Sequence, residues 1–84
     1  MSPELTLSAL GCGQQAQVSR LLTTGAMRRR LMDIGLTPGE TVRCLLTACR
    51  GNPTAYWIRG AVIALRKEDA DTVLVMEPQT GLTK

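Results

Sequence analysis

Apolar and polar residues alternate along several stretches of the chain, and in one stretch the apolar spacing is helical instead. From Gln14 to Leu22, Ala16, Val18 and Leu22 alternate with Gln17 and Ser19, the period of a half-buried strand. Thr41 to Thr47 repeats the pattern, with Val42, Cys44 and Leu46 on one face and Arg43 on the other. Tyr56 and Ile58 share a face opposite Trp57 and Arg59; Gly60 breaks this run, as a bulge or sharp bend would, and Ala61, Ile63 and Leu65 resume it. Val73 and Val75 define a last strand that Pro78 ends. At the other end, Leu5, Leu7 and Leu10 suit a short strand and turn, followed by a tight Gly11-Cys12-Gly13 turn. Ala48 to Pro53 reads as a hairpin loop, and Lys67 to Ala70 as a charged turn or a single helical turn.

The helical stretch runs from Met27 to Gly39 and reads MRRRLMDIGLTPG. At about 100° per residue, Leu31 and Ile34 fall within about 40° of Met27 and complete an apolar stripe. Thr24 is placed to cap the first turn through its hydroxyl. Gly35 follows as a left-handed stop, and Leu36 stands where a Schellman motif brings an apolar side chain back onto Leu31. Thr37-Pro38-Gly39 is turn chemistry, with Pro38 presetting φ and Gly39 accepting a positive φ, as in a type II turn. A helix of about ten residues is marginal alone, so its stripe needs a sheet beneath it. The expected fold is mainly β: a small barrel of about five strands, which closure protects from exposed edges, with one short helix inserted after the first long strand. The expected domain covers residues 5–77, with residues 1–4 and 78–84 as loose termini.

Composition narrows the classes. Eighty-four residues suffice for one domain with a modest core. A formal charge of +3 is only a mild basic bias. No apolar run approaches the roughly 20 residues that span a bilayer, and the opening MSPELTLSAL lacks the basic and apolar regions of a secretory signal. Three cysteines without a C-x-x-C pair argue against a disulfide framework. The expectation is a cytoplasmic protein that does not insert into membranes.

Candidate chemistry is sparse. The chain has no His, and Asp33, Glu40, Glu68, Asp69, Asp71 and Glu77 lie in turns or beside basic residues, which is a poor basis for acid–base or nucleophilic catalysis. A phosphate-binding loop with its Lys is absent, so nucleotide binding is not expected. Cys44 and Cys49 form the only close thiol pair in the sequence, but Cys44 falls on a core-facing strand position and a metal site needs three or four converging ligands. The reading is a non-enzyme without a metal or cofactor.

Binding is the remaining class. Arg28-Arg29-Arg30 lies on the helix, with Arg29 about 200° from Met27 and Asp33 spaced to pair with Arg29 or Arg30. This is either a solvated helix face or a docking surface for an acidic patch, where Arg supplies bidentate geometry. Met32 falls about 140° round the wheel, beside Arg28, and is either an exposed apolar anchor among cations or covered by a neighbouring loop. Trp57 faces away from Tyr56 and Ile58; it fills a second small core or anchors a partner or a second copy of the chain.

The run RRRLMDIGLTPG, the Gly51-Asn52-Pro53 loop, and RGAVIALRKEDAD from Arg59 to Asp71 together resemble the ferrous iron transport protein A (FeoA) family. The similarity spans roughly Leu5 to Met76, with one departure at Gly11-Cys12-Gly13, where the family often has a Pro before the Gly. The resemblance implies an SH3-like barrel acting as a small cytosolic partner of the membrane ferrous-iron transporter FeoB, through that transporter's cytoplasmic, GTP-binding region. Iron itself is then handled by the partner. Similar domains also close the chains of iron-dependent repressors, so the fold alone does not settle function; the alternative, a nucleic-acid-binding or transcription-regulatory barrel, is supported by the net charge and Arg28 to Arg30. Against nucleic acid stand the scarcity of aromatics for base stacking and the mixed charges from Arg66 to Asp71.

Overall fold

Alternation becomes strands where a neighbour is present to pair them. The computed structural model describes residues 4–47 and 53–76. Within them lie strand β1 (Glu4–Thr6), a 3-10 turn (Leu7–Ala9), β2 (Gln15–Leu21), helix α1 (Gly25–Asp33), β3 (Thr41–Thr47), β4 (Thr54–Ile58), β5 (Ala61–Leu65), helix α2 (Lys67–Ala70) and β6 (Val73–Met76). The strands form one antiparallel sheet in the order β1-β6-β2-β3-β4-β5.

The sheet has six strands, where alternation alone suggested about five. The sixth is β1, the short strand expected at Leu5, three residues paired with β6 through Glu4–Met76, Leu5–Val75 and Thr6–Leu74. Glu4 therefore belongs to the sheet and not to a loose terminus. Residues 1–3 and 77–84, and most of the Ala48 to Pro53 loop with Cys49, Gly51 and Asn52, lie outside the described residues.

The core is the set of inward positions that alternation marks. Val18, Val42, Cys44, Tyr56, Ile58, Val73 and Val75 are all buried, joined by Leu7, Leu10, Leu31 and Leu36. Each large apolar side chain removed from water in this way contributes about 1.5–3 kcal/mol. Leu22 departs from the expected pattern and is exposed. A register shift between Val18 and Arg20 in the β2–β6 pairing consumes one residue, so Leu21 replaces Leu22 against the core. Lys67–Ala70 takes the helical alternative.

Helix α1 ends as its sequence predicts. The Leu36 amide donates to the Leu31 carbonyl at 3.1 Å and the Gly35 amide to the Met32 carbonyl at 3.0 Å, the paired bonds of a Schellman motif, with Gly35 at φ 113°. The Glu40 amide closes the next turn onto the Thr37 carbonyl at 3.0 Å, with Gly39 at φ 92°. Two expectations at the start of the helix fail. Thr24 occupies the N-cap position but its side chain makes no capping bond. Met27 is exposed, so the stripe is anchored by Leu31 alone, with Ile34 half-buried.

A polar chain ties the N-terminal turn to α2. The Ser8 hydroxyl donates to the Asp71 carboxylate, and Lys67 Nζ meets the same carboxylate at 3.0 Å. Ser8 first and Lys67 second hold the Asp71 carboxyl below its ordinary value. A depressed carboxyl supplies stability above the ordinary carboxylate range and loses it as pH falls through the lowered value. Asp71→Asn should therefore flatten the acid limb of stability below about pH 4; urea midpoints at neutral and acidic pH check this, and parallel curves for the two proteins would refute it.

Candidate interaction surface

Two exposed surfaces combine cations with apolar side chains. The first is α1. Because the helix buries only Leu31, Arg28, Arg29 and Arg30 all lie exposed. Asp33 is exposed as well, and the expected pairing with Arg29 or Arg30 is not formed. The ion pairs among the described residues are Arg20–Glu4 at 3.4 Å and Lys67–Asp71 at 3.0 Å. Exposed ion pairs of this kind contribute little, so leaving three arginines without an acid costs the fold almost nothing and keeps them available. Met32 is half-buried, between its two expected environments. The exposed apolar residues on this segment are Met27 and Leu22, whose exposure follows from the strand's phase shift and the helix's single anchor.

The second surface lies on the sheet. Gln15 pairs with Arg43, Arg43 with Trp57, and Trp57 with Val62, so the four stand in one row across β2, β3, β4 and β5, and all are exposed. Trp57 is 46% exposed, which rules out the second small core as its environment. A groove of about 320 Å³ opens beside it, lined by Gln15, Glu40, Thr41, Arg43, Trp57, Arg59 and Gly60.

Local backbone chemistry positions the groove wall. Ile58 pairs with Ala61, leaving Arg59 at φ 50° and Gly60 at φ 84° as a two-residue turn of the kind that demands positive φ at both positions. Gly60 thus reverses the chain in a hairpin and is not a bulge within a strand. Arg59 holds a conformation that Asn or Gly would adopt at lower cost. Its aliphatic stem lies where a Gly35 side chain would be, since a Cβ built at Gly35 would stand 2.7 Å from Arg59 Cδ and 2.8 Å from Ile58 Cγ2. The end of α1 and the β4–β5 turn are therefore in contact, and the two surfaces adjoin. Arg43 and Arg59 were missed as site residues in the sequence. The available signal was an Arg before Gly in a short break between alternating runs.

Other chemistry is limited among the described residues. No three His, Cys, Asp or Glu residues converge as metal ligands. No helix is long and apolar enough to cross a membrane. The Cys44–Cys49 pair lies partly outside the described residues, whereas the backbone bonds of Gly13 and Gln14 to Cys44 bring Cys12 and Cys44 together.

Comparison with known proteins places this geometry. The Fe(2+) transport protein A/Fe(2+) transporter FeoB fusion protein of Porphyromonas gingivalis is 32% identical over 71 residues, covering 84% of this chain and 8% of that protein. The chain thus spans less than a tenth of that relative's length. A Stenotrophomonas maltophilia FeoA structure, complexed with zinc and described as a prokaryotic SH3 domain protein, superposes with a TM-score of 0.76 at 31% identity, covering 84% of this chain and 88% of that one. A manganese-dependent transcriptional repressor shares the fold alone, with a TM-score of 0.76 at 23% identity, covering 90% of this chain and 42% of that one. The FeoA domain family matches residues 5–77, and with this small SH3-like sheet and its capped helix, the chain belongs to the FeoA family.

Proposed function

We propose that this chain is a cytoplasmic accessory protein of ferrous iron uptake that acts by binding the cytoplasmic region of a FeoB-type transporter, without catalysis of its own. The observation that carries this reading is the Porphyromonas gingivalis protein in which a related domain and a FeoB transporter form one polypeptide. Covalent fusion holds two modules at high effective concentration, and separate chains reach the same arrangement only through a binding surface. Arg28, Arg29 and Arg30 with Met32 on α1, and Trp57 on the adjoining sheet face, provide the residue types that dominate small interfaces: Arg, Met and Trp.

The test is a salt series of affinities for a FeoB soluble cytoplasmic domain, with urea unfolding as control. Arg29→Glu reverses a charge on an exposed face, so its folding cost should stay below about 0.5 kcal/mol. Its affinity should fall by about tenfold or more, with a weaker salt dependence, because like charges across an interface cost several kcal/mol. Met32→Ala and Trp57→Ala should weaken binding without changing the salt slope, since each removes apolar contact and no charge. Equal affinities for all four proteins would refute this surface. Tight, salt-sensitive binding to random duplex DNA would instead favour the nucleic-acid alternative.

A further inference from the structure

The fold brings together two cysteines that lie far apart in the sequence. The Gly11–Gln14 turn is closed by the Gln14 amide donating to the Gly11 carbonyl at 3.0 Å, and by the Gly11 amide donating to Gln14 Oε1 at 2.8 Å. Gly13, at φ 85°, directs its amide to the Cys44 carbonyl at 2.7 Å, and the Cys44 amide donates to the Gln14 carbonyl at 2.9 Å. Both backbone groups of Cys44 are thereby fixed to the two residues that follow Cys12. Cys12 thereby stands beside Cys44, and after burial its neighbouring thiol helps hold the Cys44 thiol above its ordinary value. Both cysteines are in the thiol form, Cys12 exposed and Cys44 fully buried.

We propose that Cys12 and Cys44 form an oxidation-sensitive pair, in which hydrogen peroxide converts the exposed Cys12 thiol to a sulfenic acid that Cys44 captures as a disulfide. In the first step the Cys12 sulfur attacks one peroxide oxygen and the O–O bond breaks. The departing hydroxide takes up the thiol proton as water, so Cys12 is oxidised by two electrons and peroxide is reduced. In the second step the Cys44 sulfur attacks the Cys12 sulfur and displaces the sulfenic hydroxyl. That hydroxyl leaves with the Cys44 proton as a second water, and the S–S bond is formed.

The division of roles follows from exposure. Peroxide in solution reaches Cys12 and not Cys44. Burial pushes the Cys44 thiol up to about 11, which leaves it inert toward dilute oxidant; its resolving role rests on its fixed place beside Cys12. An accessible thiol beside a resolving one is the arrangement in which a sulfenic acid is captured as a disulfide. The bond would join the turn before β2 to β3 and enclose α1, which bears Arg28, Arg29 and Arg30, in a covalent loop.

The experiment treats the full chain with hydrogen peroxide and reads intact mass, non-reducing peptide maps and the thermal midpoint. The intact chain should lose about 2 Da, fragments bearing Cys12 and Cys44 should be linked, and the midpoint should rise and then fall back on reduction with dithiothreitol. Cys49→Ser should behave like wild type. Cys12→Ser, at an exposed turn position, should fold normally, lose no mass and keep its midpoint. Cys44→Ala should stop at a sulfenic acid on Cys12 that dimedone traps. A Cys12–Cys49 or intermolecular bond, failure of the bond in Cys49→Ser, or a Cys12 that stays reduced would each overturn the proposal.

Discussion

Replacing Gly35 with alanine will cost about 2–5 kcal/mol, enough to bring a domain of this size close to unfolding at ordinary temperature. Two effects combine. A residue with a Cβ at φ 113° sits in a region that L side chains avoid, at about 1–2 kcal/mol. The Cβ would also meet Arg59 Cδ at 2.7 Å and Ile58 Cγ2 at 2.8 Å, and overpacking a filled site costs about 1–3 kcal/mol more. The Arg59 stem is flexible and can give way, but Ile58 is fully buried and cannot move without opening the core. Adding Arg59→Ala to the variant should therefore recover only part of the loss. Urea unfolding of the two variants and wild type measures both quantities, and a Gly35→Ala midpoint equal to wild type would show that neither strain nor clash is present.

Alkali should destabilise the folded chain between about pH 9 and pH 12. Burial pushes the Cys44 thiol up from 9.0 to about 11 and the Tyr56 phenol up from 10.0 to about 12. Each group is neutral when buried and ionises earlier in the unfolded chain. Its stabilising effect is complete below the unfolded value and is lost as pH rises through the folded one. At about 1.4 kcal/mol per unit, each raised value corresponds to a loss of about 2–3 kcal/mol across its window. Tyr56→Phe separates the two. It removes the bond from the Tyr56 hydroxyl to the Leu7 carbonyl at 3.3 Å, costing about 1 kcal/mol at neutral pH, but it should show a shallower decline above about pH 10. Urea midpoints across that range decide the matter; parallel slopes for wild type and variant would remove the tyrosine from the account.

What was legible in the sequence was what short range controls. The stop of α1 depends on Leu31, Gly35 and Leu36, all within one turn, and their residue types admit few other arrangements. Inward alternation at Val42, Cys44, Tyr56, Ile58, Val73 and Val75 needed only the period of a strand. Features that depend on a distant partner were not legible. The short strand expected at Leu5 forms, but that its partner is Val75 on β6 depends on the fold, and Leu22 is exposed because β2 shifts register against β6. Met27 fitted the stripe by its angle, but the angle cannot tell how far the sheet extends beneath the helix. Trp57 was assigned the right face, and whether another layer covered that face was a question of tertiary structure. Cys12 was missed beside Cys44 for the same reason, since their meeting requires the β2–β3 register.

The sheet order also fixes when the molecule can be completed. β6 lies between β1 and β2, so the backbones of the opening strand and the first long strand never pair; apart from the Glu4 side chain, which meets Ser19 and Arg20, they are joined by the last strand made. During synthesis β2, β3, β4 and β5 can assemble as they emerge, but β1 has no partner until residues 73–76 have left the ribosome. Pairing across such a separation is the slow class of contact, and Leu7, held by Tyr56 from within the sheet, keeps the waiting segment near its destination. A polypeptide that carries another domain downstream gives this closure time to finish before that domain appears.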